Sequence, residues 1–236
     1  MHLTAFQVRS TTMPLALLVI GTLLVSLPST AAGQGAAPIT RAEFNQWMRD
    51  ISNWGRWGAD DELGTLNLIT DGTRLAATRL VEDGVSVSMA RDLNTVRDVV
   101  NANPFEHTLT TSTFSGHAVA GDVYSVQYHG FAHSHIDGLP HFAHDGQLYN
   151  GFSVSGLSST GAERLGIHNA RNGIVTRGVL VDMARHKGVD YLEPSTAITI
   201  EDLESWERET GVRIGSGDVL LIRTGRWEAV RQLGQW

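Results

Sequence analysis

The spacing of apolar and polar positions changes several times along this chain, and each change predicts an element. A first apolar run, Met13-Pro14-Leu15-Ala16-Leu17-Leu18-Val19-Ile20-Gly21-Thr22-Leu23-Leu24-Val25, is too short for a comfortable bilayer span. Arg9 precedes it, and Pro28-Ser29-Thr30-Ala31-Ala32 follows with a helix breaker and small residues. Residues 1–33 therefore read as a secretory signal cleaved near Ala32. Residues 34–39 read as a short linker. Thr40, with Glu43 three positions on, opens a capping-box helix that runs to Asp50 and carries Phe44, Trp47 and Met48 as an apolar stripe. A glycine-punctuated aromatic loop, Asn53-Trp54-Gly55-Arg56-Trp57-Gly58, comes next. Thr70-Asp71 begins a second helix, with Leu75, Ala76, Arg79 and Leu80 at helical spacing and Gly84 as its stop.

Strand signals dominate the rest. Val85-Ser86-Val87-Ser88-Met89 alternates and predicts a strand. Residues 92–113 are polar and contain Pro104, which predicts a long loop with a strand near its end. Val123 to Tyr128 alternates again and leads into the residues that follow. Asp145-Gly146 is a turn signal, and Glu163 to Asn172 fits a short helix or a strand. Ile174-Val175, Gly178 to Met183 and Asp218 to Arg223 are apolar runs typical of buried strands. Between the last two lies a helix from Ile198 through Trp206, with Thr199 as cap and Asp202 in the box position. Strands and helices interleave without a strict βαβ rhythm, so the expected class is α/β, a mixed β-sheet with flanking helices. There is no internal repeat, no GxGxxG and no P-loop motif.

Composition narrows the function classes. Removing the signal leaves roughly 200 residues, enough for one domain with a sizeable core, and 42% of the 236 residues are hydrophobic. The net charge is −7 and Lys187 is the sole lysine, which argues against a nucleic-acid partner. There is no cysteine, so thiolate metal ligands and disulfides are excluded. After signal cleavage no stable membrane span is expected, and the location is periplasmic or secreted.

The candidate chemistry is concentrated in one place. Tyr128-His129-Gly130-Phe131-Ala132-His133-Ser134-His135-Ile136-Asp137-Gly138-Leu139-Pro140-His141-Phe142-Ala143-His144-Asp145-Gly146 holds five of the ten histidines and two carboxylates. In an extended strand, positions i, i+2 and i+4 share a face, which groups His133, His135 and Asp137, with His129 and Phe131 on that face if the strand begins earlier. Two imidazoles and a carboxylate are ligands for Zn, Mn, Fe or Co. Burying three such groups unpaired would be costly; a solvated polar face is the plain alternative. Gly138-Leu139-Pro140 breaks the strand and turns His141 back toward the same site. His107 and His117 stand alone and read as structural. Trp54 and Trp57 are candidates to line a pocket for a flat substrate, or else pack into the core.

The His-rich segment resembles the metal-binding signature of the cyclase superfamily, which includes bacterial kynurenine formamidase and isatin hydrolase and has the usual pattern H-x-G-T-H-x-D-x-P-x-H. His135-Ile136-Asp137 and His141 match its second histidine, aspartate and final histidine. The first histidine of the pattern falls on Phe131 and its glycine on His133, so the first ligand is His133 or His129; the shared strand face favours His133. Trp57-Gly58-Ala59-Asp60-Asp61-Glu62-Leu63-Gly64-Thr65-Leu66-Asn67 is similar to an N-terminal signature of the longer members. Tyr149-Asn150-Gly151, Arg177 to Asp182 and Asp218 to Gly225 match in order. Longer members continue past Trp236, which implies a chain that stops short at its C-terminus.

This resemblance implies a swivelling β/β/α cyclase-like domain over residues 34–236 and a metal-dependent amidohydrolase of the arylformamidase kind. The expected metal ligands are His133, His135, Asp137 and His129, the cofactor a divalent metal, Zn or Mn, and the general acid/base His141. The expected partner is a small-molecule amide, lactam or lactone, with a homodimer left open. Two other readings of the same ligands remain: a non-haem iron oxygenase, and a periplasmic metal- or ligand-binding protein without catalysis.

Overall fold

The computed structural model of the protein describes residues 39–234. The signal expected over residues 1–33 lies outside the described residues. The chain divides into two units, Met1–Asp50 and Ile51–Trp236. In the first, the capping box forms as its residues predict: the Thr40 and Glu43 backbone amides donate to Glu43 Oε2 at 2.8 Å and Thr40 Oγ1 at 3.2 Å. Helix α1 follows over Arg41–Asp50.

The second unit is α/β. Strand β1 (Glu106–Phe114) pairs antiparallel with β2 (His117–Ser125). Their two-residue turn, Ser115-Gly116, has φ of 49° and 79°, the doubly positive geometry that matches strand twist in a tight hairpin. A small antiparallel pair joins β3 (Leu157–Ser158) to β4 (Gly161–Ala162). Strands β5 (Gly178–Asp182) and β6 (Val219–Arg223) run parallel, with Val179 opposite Leu220 and Val181 opposite Ile222. Helices α2 (Asp71–Thr78), α3 (Met183–His186), α4 (Ile200–Thr210) and α5 (Arg226–Leu233) complete the set. Parallel and antiparallel pairings thus coexist, as three two-stranded ladders among the described residues. No helix among these residues is long and apolar enough to cross a membrane.

The core forms around β5. Val179, Val181, Met183 and Trp206 are buried, with Leu192, Ile198, Leu203 and Ile214 packed against them. Full burial of such side chains stabilises by roughly 1.5–3 kcal/mol each. Leu180, between the two buried valines, is 56% exposed, so β5, although apolar on both faces, is covered on one face only. The polar ends of this pair explain two of the matched sequence runs. Arg177 donates through Nε and a terminal nitrogen to the two oxygens of Asp218 at 2.9 and 2.5 Å, and Arg223 pairs with Asp182 at 2.7 Å. The fork from Arg177 holds the Asp218 carboxyl below the usual range. Helix α4 starts with the reciprocal Thr199–Asp202 box and ends at left-handed Gly211.

Other expectations differ in detail. Helix α2 is capped by Thr70 as expected but closes at Thr78, well before Gly84. Residues 85–89 alternate yet form no strand; Val85, Val87 and Met89 are 77%, 78% and 68% exposed. An alternating segment without a partner strand has no ladder to join. The ambiguous stretch 163–172 contains a 3-10 turn over Ile167–Ala170.

Candidate metal centre

Beyond Ser125 the backbone leaves the hairpin and does not continue as the expected strand. Residues 129–133 form bends, and Gly130 has φ +127°, a value that L side chains rarely adopt. A 3-10 turn over Leu139–His141, with buried Pro140 in its first turn, closes the loop. Because the strand is absent, strict alternation no longer decides which rings converge.

The residues that converge are His129, His135 and Asp137, each of which offers a ligand atom within 4.8 Å of the others. His129 Nδ1 lies 3.0 Å and His135 Nε2 3.6 Å from Asp137 Oδ1. The His129 ring also stands edge-on to His135, with centroids 5.4 Å apart, and 4.6 Å from His141. Two ring orientations are set by backbone carbonyls. His135 Nδ1 donates to the His133 carbonyl at 2.9 Å, and His141 Nδ1 to the Gly138 carbonyl at 3.1 Å. A carbonyl only accepts, so each Nδ1 carries a proton, which leaves Nε2 as the nitrogen available to a ligand. For His135 that Nε2 faces Asp137. This donor set, two imidazoles and one carboxylate at a half-exposed surface, fits a divalent cation of the borderline kind, and carbonyl anchoring of the far ring nitrogen is how such ligands are oriented.

His133 is placed differently from the expectation. The residue is 7% exposed, its ring lies outside the converging group, and neither ring nitrogen has a hydrogen-bond partner among the described residues. It serves the cluster through its backbone, as acceptor for His135. His129, the alternative first ligand, is the ring that groups with His135 and Asp137. The signal was local: Gly130 directly after His129 allows the reversal that brings this ring back over residues 135–137.

A polar hub stands behind this loop. The Asp61 carboxylate accepts from the backbone amides of Leu63 (3.3 Å) and Gly64 (2.9 Å), from Asn67 Nδ2 (2.7 Å) and from the Tyr149 hydroxyl (2.8 Å). Burial pushes this carboxyl up, but the bonds from Asn67, Gly64, Tyr149 and Leu63 outweigh it and the net direction is down. Tyr149 is pushed up to about 12 by burial and by that carboxylate. Asn150, at φ +60°, donates from Nδ2 to the carbonyls of Gly58, Ala59 and Asp61 and accepts from the Gly55 amide. Glu62 accepts from the Leu165 amide at 2.6 Å, from Arg164 at 2.8 Å and from Asn169 at 3.0 Å, and is held below the usual range, the Leu165 amide contributing most. A cavity of about 150 Å³ lies between hub and loop. Its apolar lining includes Leu63, Leu66, Ile136 and Leu165, and its polar members are Glu62, Thr65, Asp137 and Asn169. Neither Trp54 nor Trp57 lines it: the Trp54 ring packs near Gly151, and Arg56 lies over Trp57.

The model of the "Putative cyclase" family matches residues 104–234, more than half of the chain, including the whole histidine loop. The chain belongs to the cyclase family. A crystal structure described as that of a novel cyclase superposes with a TM-score of 0.70 at 31% sequence identity, covering 77% of this chain and 63% of that one. The chain thus spans less than two thirds of that cyclase's length. No curated protein matches it. Membership of the cyclase family makes this an α/β protein of a generally metal-dependent kind, and the His129/His135/Asp137 group is where its described residues gather the ligands for such a role.

Proposed function

We propose that this cyclase is a metal-dependent hydrolase that cleaves the C–N bond of a formamide or cyclic amide, as an arylformamidase or isatin hydrolase does. The observation that carries this reading is the convergence of His129, His135 and Asp137, with the His141 ring against them. His129, His135 and Asp137 would hold the cation, Zn or Mn. When bound, such a cation supplies Lewis acidity, polarising a carbonyl and making water more acidic. His141 then acts as general base and acid. With its Nδ1–H fixed on the Gly138 carbonyl, its Nε2 takes the proton from the attacking water and returns it to the leaving nitrogen. Asp137 borders both the ligand group and the apolar cavity, which favours a small substrate with an apolar body and one polar, reacting end.

The test is metal analysis of the purified protein together with a panel of N-formyl-arylamines, isatin-like lactams and lactones. His141→Ala should retain the metal and lose turnover by at least about 10²-fold. Near-wild-type rates in that variant, or turnover that consumes oxygen and requires iron, would overturn the reading.

A further inference from the structure

Glu62 stands next to Asp61 in the sequence but bonds to a different segment. Its Oε2 accepts from both the Leu165 backbone amide and Asn169 Nδ2, at 2.6 and 3.0 Å, while Oε1 accepts from Arg164. One carboxylate oxygen thus ties both ends of the turn over residues 165–169. The turn needs such a tie. Leu165 has φ +66° and is 1% exposed, and a bulky residue keeps left-handed backbone only where its surroundings hold it there. The turn also closes on itself, because the Asn169 amide donates to the Gly166 carbonyl at 3.0 Å.

Ile167, midway between the two tied residues, abuts the histidine loop. A Cβ added at Gly138 would lie 3.2 Å from the Ile167 amide nitrogen and 3.5 Å from the Ile167 Cβ. The Gly138 backbone, at φ −74° and ψ 158°, suits any residue, so what glycine provides there is room for Ile167. The Gly138 carbonyl accepts from the His141 amide at 3.2 Å and from His141 Nδ1 at 3.1 Å. A line of contacts therefore runs from Glu62 through Leu165 and Ile167 to the carbonyl that sets the His141 ring.

We propose that Glu62 is a positioning residue for His141: by tying Leu165 and Asn169 it seats Ile167 against Gly138 and fixes the carbonyl on which the His141 ring is oriented. What His141 does from that position rests on the hydrolase reading; the geometric link does not.

Two variants separate geometry from charge. Glu62→Gln keeps an oxygen long enough to reach Leu165 and Asn169 but drops the charge facing Arg164. Glu62→Asp keeps the charge and draws the oxygens back by one carbon. Full-length zinc-loaded protein is followed by formanilide kinetics and by the imidazole N–H resonances of nitrogen-15-labelled samples. The His141 Nδ1–H signal is the one missing from His141→Ala. Glu62→Asp should shift or broaden that signal and lower kcat about tenfold, with KM within about twofold. Glu62→Gln should keep the wild-type signal and recover most of the lost kcat. Arg164→Gln, which removes only the exposed partner, should match wild type in both readouts. An unmoved signal and unchanged kcat in Glu62→Asp overturn the proposal. So does a rise in KM at constant kcat, since Glu62 then touches the substrate. Equal loss in Glu62→Gln and Glu62→Asp assigns the effect to the Arg164 pair and overturns it too. If Glu62→Asp does not fold, Gly138→Ala crowds Ile167 from the other end and should move the same signal; an unmoved signal there is equally fatal. Turnover with a signal that ignores the variants condemns the positioning role alone. A signal that follows the variants, with no amide turned over by wild type, condemns the hydrolase reading alone.

Discussion

The Asp61 hub and the histidine loop lie on either side of one cavity and are built on opposite rules. In the hub, four donors converge on the Asp61 carboxylate and the Asn150 amide bonds on both of its ends. In the loop, the His129 and Asp137 side chains are more than half exposed, and His135 and His141 are each held by a single backbone carbonyl. The hub spends its polar groups on itself, whereas the loop turns ring nitrogens of His129 and His135 toward one carboxylate oxygen of Asp137. Stability and chemistry are thus assigned to different residues, although Leu139 of the loop and Tyr149 of the hub meet over Gly64, each 3.6 Å from where a Cβ would sit. A site that must exchange ligands keeps its groups under-satisfied and takes its rigidity from a neighbour that does not.

The largest expected effect follows from emptying the hub. Asp61→Ala leaves the Tyr149 hydroxyl and two amides without their acceptor. Charge-assisted hydrogen bonds and unsatisfied part-buried groups together make this worth about 2–4 kcal/mol. Urea denaturation should show a lowered midpoint with an unchanged slope. A midpoint within experimental scatter of wild type would show that the hub is an ornament of the surface and not a support.

The two regions also differ in how far the sequence discloses them. Local signals were reliable where one residue satisfies its near neighbours: Thr40–Glu43 and Thr199–Asp202 cap their helices as spaced. The apolar runs at 178–183 and 218–223 contain β5 and β6. The hub was visible only as a string similar to a family signature. Its meaning depends on Tyr149 and Asn150, some ninety positions away, and no periodicity encodes that. The loop was misdrawn in one respect. Alternation placed His133 beside His135 and Asp137, but alternation presumes a strand, and Gly130 breaks it. Likewise Val85 to Met89 has a strand's pattern and no partner, because pairing is decided elsewhere in the chain.

A smaller effect isolates the charge within the hub. The folded-state value of Asp61 is depressed, so its contribution is present above the unfolded aspartate range near ~4 and is lost as pH falls through the depressed value. Asp61→Asn keeps the shape but cannot titrate. It should be less stable than wild type at pH 7 by about 1–2 kcal/mol, and the gap should close below about pH 4. A gap that stays constant from neutral to acid pH would assign the hub's strength to shape rather than charge.

The smallest effect on stability should come with the largest effect on metal. His129 is exposed, and its contacts are with Asp137, His135 and His141. His129→Ala should therefore change the urea midpoint of metal-free protein by no more than about 0.5 kcal/mol. It removes one of the converging ligand atoms, so metal affinity should fall by at least about tenfold. His133→Ala supplies the opposing arm. Its ring is buried, but its service to the cluster is a backbone carbonyl, which alanine keeps. That variant should lose stability by about 1 kcal/mol or more while retaining the metal at wild-type stoichiometry. Metal analysis after dialysis, run on both proteins, reads the two arms directly. Should His133→Ala lose the metal while His129→Ala keeps it, the ligand group would be His133, His135 and Asp137, and His129 would be a neighbour of it only.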